Sequence, residues 1–195
     1  MTNSMNNVKE VTELLQSFLK VKKVEEIHQY QVAFELSKDD IHQALSILKN
    51  AGWIQLSYLS AVDWIDEGEF ELIYILMNWD KAVHVQLRTR LSREDAVMPS
   101  IIHIFPNCEY YERECHEFFG VKFPGNPMYD KQLILEQWDD LPPLRKDFDP
   151  KAYSDKKFKG REYSDNHINL EGQASKQEKR DERHERARKL GKEGR

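Results

Sequence analysis

An α+β fold, with a mixed or antiparallel sheet, packed helices and an extended C-terminal arm, is what this sequence predicts. Three observations carry that reading. Strand-like segments joined by turn signals occupy the middle of the chain, and helix-like segments lie before and after them. No glycine-rich phosphate loop opens a helix after a strand, which argues against a doubly wound nucleotide-binding sheet. From about Asp149 the apolar pattern collapses and charge takes over.

The elements follow in order. Val8 to Lys20 reads as a helix with Val11, Leu14, Leu15, Phe18 and Leu19 on one stripe. Tyr30, Val32, Phe34 and Leu36 alternate with Gln31, Ala33 and Glu35, which is strand periodicity. Ser37 is a suitable N-cap for a helix holding Ile41, Ala44, Leu45 and Leu48, with Asp40 at the fourth position of a capping box. Asn50-Ala51-Gly52 stops that helix, because glycine accepts the left-handed conformation. Strands are expected over Trp53–Val62, Phe70–Trp79 and Ala82–Leu91, the last two joined by a tight turn at Asn78-Trp79-Asp80-Lys81. His84 then falls on the wet side of a strand rather than at a ligand position. Asp95 to Phe105 reads as a helix stopped by Pro106. Glu109 to Phe119 reads as another, with Tyr111, Cys115, Phe118 and Phe119 on one face and Gly120 as its stop.

Charge divides the chain in two. Residues 1–150 hold 15 Lys and Arg against 25 Asp and Glu, whereas residues 151–195 hold 14 against 9. The expected organisation is one α+β domain over 1–150 and a charged basic tail over 151–195 that orders mainly on a partner. Within the tail, Glu178–Lys189 has paired charges suited to a helix but no apolar stripe. No stretch approaches the roughly 18 apolar residues of a membrane span, and the start lacks the pattern of a signal peptide. Any membrane contact is therefore expected only through partners. Nine acidic residues interleaved in the tail, beside an acidic body, argue against nucleic-acid binding. Cys108 and Cys115 are too few for a cluster or structural zinc site without ligands from elsewhere. His103 and His116 lie nearby, so a Cys/His metal site is one reading, and two reduced thiols on or beside an apolar helix face is the plainer one.

The most specific segment is Glu112-Arg113-Glu114-Cys115-His116-Glu117-Phe118-Phe119-Gly120, followed by Pro143-Leu144-Arg145-Lys146-Asp147-Phe148. On a helix, Arg113 and Glu117 stand one turn apart, as do Glu112 and His116, so plain charge pairs are one reading. Acid–base catalysis by Glu112, Glu114 and Glu117 is a second, and it requires a cleft. Pro142-Pro143 holds the chain extended, so Arg145 and Lys146 either are displayed toward a partner carboxylate or pair locally with Asp147 or Asp149.

These two linked motifs resemble the signature of the thirty-kilodalton subunit of complex I, or NADH:quinone oxidoreductase. Leu133-Ile134-Leu135 followed by Trp138 is similar to the apolar stretch of that family. Asn126 stands where the family usually has His or Lys. Related subunits occur in coenzyme F420-linked reductases and in energy-converting nickel–iron hydrogenases. The resemblance implies a non-catalytic, cofactor-free peripheral-arm subunit of an ion-translocating complex that passes electrons from a carrier such as NADH to quinone. It implies docking on the large quinone-site (or hydrogenase-like) subunit beside iron–sulfur subunits, at the cytoplasmic face of the membrane, with flavin or iron–sulfur clusters on partners. The implied docking residues are Glu112, Arg113, Glu114, Glu117, Phe118, Phe119, Gly120, Pro143, Leu144, Arg145, Lys146 and Asp147. A stand-alone soluble enzyme is the alternative from a different class.

Overall fold

The computed structural model describes residues 2–158, and side chains from Asn7 onward. Its elements are α1 (Thr2–Phe18), β1 (Lys23–His28), β2 (Gln31–Glu35), α2 (Ile41–Asn50), β3 (Gln55–Trp64), β4 (Glu69–Asn78), β5 (Val83–Ser92), α3 (Cys108–Phe119) and α4 (Pro150–Lys157). The contacts divide the chain after Pro150. The body before that point carries the sheet and its first three helices.

The sheet has the order β1-β2-β5-β4-β3. β3, β4 and β5 form an antiparallel meander, and β2 joins β5 in parallel, with Phe34 beside Leu87. A mixed sheet in an α+β body is therefore present. Alternation along the strands sends Phe70, Leu72, Tyr74 and Leu76 of β4, and Val83, Val85 and Leu87 of β5, into one core. Val8, Val11 and Leu15 of α1 and Ile41, Leu45 and Leu48 of α2 meet them there. Each such side chain contributes about 1.5–3 kcal/mol on leaving water. Trp53 is fully buried, and its indole N–H donates to the Val83 carbonyl at 3.1 Å.

The opposite sheet face carries Lys23, Glu25, Glu35, Glu71, Arg88 and Arg90 around a shallow depression. Arg90 reaches Glu67 at 3.0 Å, Glu71 at 3.6 Å and Glu69 at 3.8 Å. Exposed pairs of this kind contribute at most about 1 kcal/mol each.

Five details depart from the sequence reading. β1 was not expected, since its exposed KVEEIH run lacks a clean apolar alternation. Asp95–Phe105 is not helical. Pro99 removes a donor there, and the backbone pairs instead with the chain beyond α3: Lys122 N–H donates to Ala96 O at 2.8 Å, and Met98 N–H to Lys122 O at 2.9 Å. Ser37 precedes a short 3₁₀ turn, Lys38–Asp40, and its hydroxyl donates to the Asp40 carboxylate at 2.7 Å instead of capping a backbone N–H. Phe18 leaves the α1 stripe and is exposed. α4 forms where an arm without structure was expected, and the Glu178–Lys189 helix lies outside the described residues.

Candidate functional site

α3 is amphipathic with a polar exception. Cys108, Cys115 and Phe119 are buried on its inner face, and Glu112 is buried among them at 0% exposure. Phe119 packs edge-on against Phe70, with ring centres 6.2 Å apart. Two side chains tie the helix to the outer strand of the sheet: Asn107 donates to Leu56 O at 2.8 Å and Tyr111 to Ser57 O at 3.0 Å. Gly120 ends α3 at φ +86°, its N–H returning to His116 O at 2.8 Å.

The buried Glu112 carboxylate is met by donors from three directions. Ser100 Oγ donates at 2.7 Å, the Ile101 backbone N–H at 2.9 Å and Asn126 Nδ2 at 2.8 Å, while the Cys108 thiol lies at 3.3 Å. Buried carboxylates are tolerable only when their lone pairs are filled in this way. Burial, and then the charge of Glu112, pushes the thiol of Cys108 and the phenol of Tyr74 upward, while burial followed by Glu114 does the same to Cys115. Both thiols thus stay protonated at neutral pH, as buried free cysteines.

The outer side of α3 holds a long strap, residues 124–148, with no regular secondary structure. Glu117 accepts the backbone N–H groups of Leu133 at 2.5 Å, Ile134 at 2.8 Å and Leu135. Arg113 donates to the carbonyls of Gln132 at 2.7 Å and Lys131 at 3.4 Å. The expected Arg113–Glu117 and Glu112–His116 charge pairs are therefore replaced, for Arg113 and Glu117 by bonds to the strap backbone and for Glu112 by its bonds to Ser100, Ile101 and Asn126. His116 contacts the Val121 carbonyl through Nδ1 at 2.9 Å and packs edge-on against Tyr129. Glu114 is half-buried on the same helix.

The second motif closes the strap onto the end of the sheet. Leu144 N–H donates to Phe118 O at 3.1 Å, and Lys146 N–H donates to buried Asp63 at 2.8 Å. Arg93 Nη2 donates both to Asp63 at 3.0 Å and to Asp147 at 2.9 Å. Its Nε also approaches Asp63 Oδ1 at 2.8 Å, an ion-pair contact not aligned as a hydrogen bond. Arg145 pairs with Asp147 at 3.3 Å and lies over the Phe70 ring at 5.5 Å, so the local pairing is the one present. Burial alone raises the Asp147 carboxyl, but its own backbone N–H, Arg145 and Arg93 more than offset this and hold it below the usual range.

The two motifs, 112–120 and 143–147, thus meet around one strap. Sequence reasoning missed the partners of that arrangement: Ser100, Asn126, Asp63 and Arg93. Asn126 alone carried a signal, as the departure from the family pattern, and it supplies a donor to Glu112. Among the described residues, no three His, Cys, Asp or Glu are grouped so as to hold a metal ion. No described helix is long and apolar enough to cross a membrane.

Residues 34–154 match the family described as respiratory-chain NADH dehydrogenase, 30 Kd subunit. The chain belongs to this family. The NADH-quinone oxidoreductase C/D subunit of Psychrobacter arcticus is 33% identical over 108 residues, covering 51% of this chain and 18% of that protein. The C/D subunit of Proteus mirabilis is 36% identical over 85 residues, covering 44% of this chain and 14% of that one. The matched segment is therefore less than a fifth of these curated relatives. Among solved structures, a chain of the membrane-bound sulfane sulfur reductase, an archaeal respiratory membrane complex, is 34% identical with a TM-score of 0.73. That match covers 79% of this chain and 92% of the other. A trypsin-resistant fragment of Nqo5, 19% identical, shares the fold at a TM-score of 0.53 over 62% of this chain and 98% of its own.

Proposed function

We propose that this 30 Kd-family chain is a non-catalytic peripheral subunit of a membrane-bound, ion-translocating complex I-type oxidoreductase, which passes electrons from a reduced carrier such as NADH to quinone. Its work is to dock on the large quinone-site subunit, beside iron–sulfur subunits, at the cytoplasmic face of the membrane. Flavin or iron–sulfur clusters belong to those partners, and this chain carries none.

One observation supports the non-catalytic part most directly. Glu112 and Glu117, two of the three signature carboxylates a catalytic reading would use, already accept hydrogen bonds from the protein's own backbone and side chains. A general acid or base must instead have a lone pair or proton within reach of substrate. The signature residues act on their own chain, and their product is a shaped surface.

Tagging the chain and purifying it from solubilised membranes tests this reading. The expected result is co-purification of a large subunit together with iron–sulfur subunits, while the chain alone is colourless. Recovery as a solitary soluble protein, or flavin or iron in stoichiometric amount with the chain alone, overturns it.

A further inference from the structure

Where the body meets its large-subunit partner is a narrower question, and the strap answers it. Among residues 124–148, only Asn126 is buried. The strap is held by polar contacts from Arg113, Glu117, Asp63 and Arg93, which leaves four of its apolar side chains outside: Met128 is 39% exposed, Ile134 64%, Leu141 42% and Leu144 53%. A groove runs between Gly120 at the end of α3 and Leu135, Trp138 and Pro142 of the strap, and Ile134 and Leu141 flank residues that line it. Ordering a segment that buries so little of its own apolar surface is unfavourable unless the side-chain contacts compensate. Exposed apolar side chains carried on an ordered frame are features of a contact surface.

We infer that the strap side chains Ile134, Leu141 and Leu144 form the apolar centre of the contact with the large subunit, and that Glu117 and Arg113 are positioning residues that hold them in register. This rests on the docking role proposed above and specifies its surface. One observation selects that occupant. In the C/D relatives, the segment similar to this chain is covalently continuous with a much larger remainder, the matched segment being 14–18% of the whole protein. A second exposed apolar pair, Ile54 at 69% and Trp79 at 70%, belongs to the other end of the sheet, where Trp79 donates to Gln55. Gln55 and Asp63, which anchor the two ends, are eight strand residues apart on β3, or roughly 26 Å. That distance makes the pair a natural control.

The test is made in the intact complex. Three tagged full-length variants are compared with wild type: Ile134→Ser/Leu141→Ser/Leu144→Ser, Ile54→Ser/Trp79→Ser, and Glu117→Ala. The strap triple is expected to lower retention of the large subunit about tenfold or more, as removal of a central apolar cluster does. Its thermal unfolding in the unassembled state should stay within about 2 °C of wild type, since the replaced side chains are exposed. The Ile54/Trp79 variant is expected to retain the partner as wild type does. Glu117→Ala is expected to lose partner retention together with amide protection at 133–135, whereas the strap triple loses retention alone. Normal retention by the strap triple overturns the inference and leaves the docking role standing. Loss of retention by the Ile54/Trp79 variant alone assigns the contact to the other end and also overturns it. Failure of the wild-type chain to retain any large subunit defeats the docking role itself.

Discussion

Phe34, Leu72, Tyr74 and Leu87 in the sheet are essentially inaccessible, and their neighbours are other apolar side chains of one core. The strap, in contrast, places a single polar residue in the interior and is fixed through Glu117, Arg113, Asp63 and Arg93. Apolar burial is non-directional and fixes a layer. Hydrogen bonds between side chains and backbone are directional and fix a path. The sheet therefore supplies stability, and the strap supplies shape at little gain in stability. Glu112 stands at the junction, a directional device placed inside the non-directional core.

That contrast can be broken most severely at Glu112. Glu112→Ala strands the Ser100 hydroxyl, the Ile101 N–H and the Asn126 amide in the interior, and unfolding free energy should fall by roughly 3–5 kcal/mol in a denaturant titration. A loss below about 1 kcal/mol would mean that solvent reaches the site and that it is no part of the core. A smaller loss is expected from Gly120→Ala, where φ +86° disfavours a Cβ that would also meet Pro142 at 3.4 Å. About 1–2 kcal/mol should go, read as a shift in denaturant midpoint with an unchanged slope.

Glu117→Ala sharpens the contrast from the other side. The global stability should fall by less than about 1 kcal/mol, while amide exchange at Leu133, Ile134 and Leu135 accelerates. Equal acceleration in β4 would show that strap and sheet open as one unit. The smallest effect is acid-dependent. Asp147 titrates below its ordinary value of 3.8 in the folded protein, so its contribution is complete above about pH 4 and is lost as pH falls through the lowered value. As pH falls below about 4, strap amides near 145–148 should lose protection before β4 does, as followed by exchange or by the Asp147 carboxyl resonance.

The sheet was legible because two-residue alternation in Val83–Leu87 and Phe70–Leu76 is a direct imprint of one buried face. α2 and α3 were legible from their stripes and glycine stops. Asp95–Phe105 misled because its apolar spacing suits a helix, while its true partner, Lys122, is distant in sequence. In the site, the two motifs were visible and their roles were not. The partners of Glu112 and Glu117 are mostly backbone N–H groups, which every residue except proline carries and no pattern advertises. The pairing of Arg93 with Asp147 spans 54 residues, so neither spacing nor composition could connect them.

The side chains that tie α3 to β3 have a consequence for how this protein survives before its partners arrive. A ten-residue outer strand offers backbone groups on which another chain can grow a sheet. Asn107 and Tyr111 occupy the carbonyls of Leu56 and Ser57, and α3, which starts directly after Asn107, lies alongside. The other border, β1, bears Lys23, Glu25 and Glu26, and its pairing slips between Glu26 and His28. One border is sheathed and the other is charged and irregular, so an unassembled copy presents no clean template for fibril-like stacking with its neighbours.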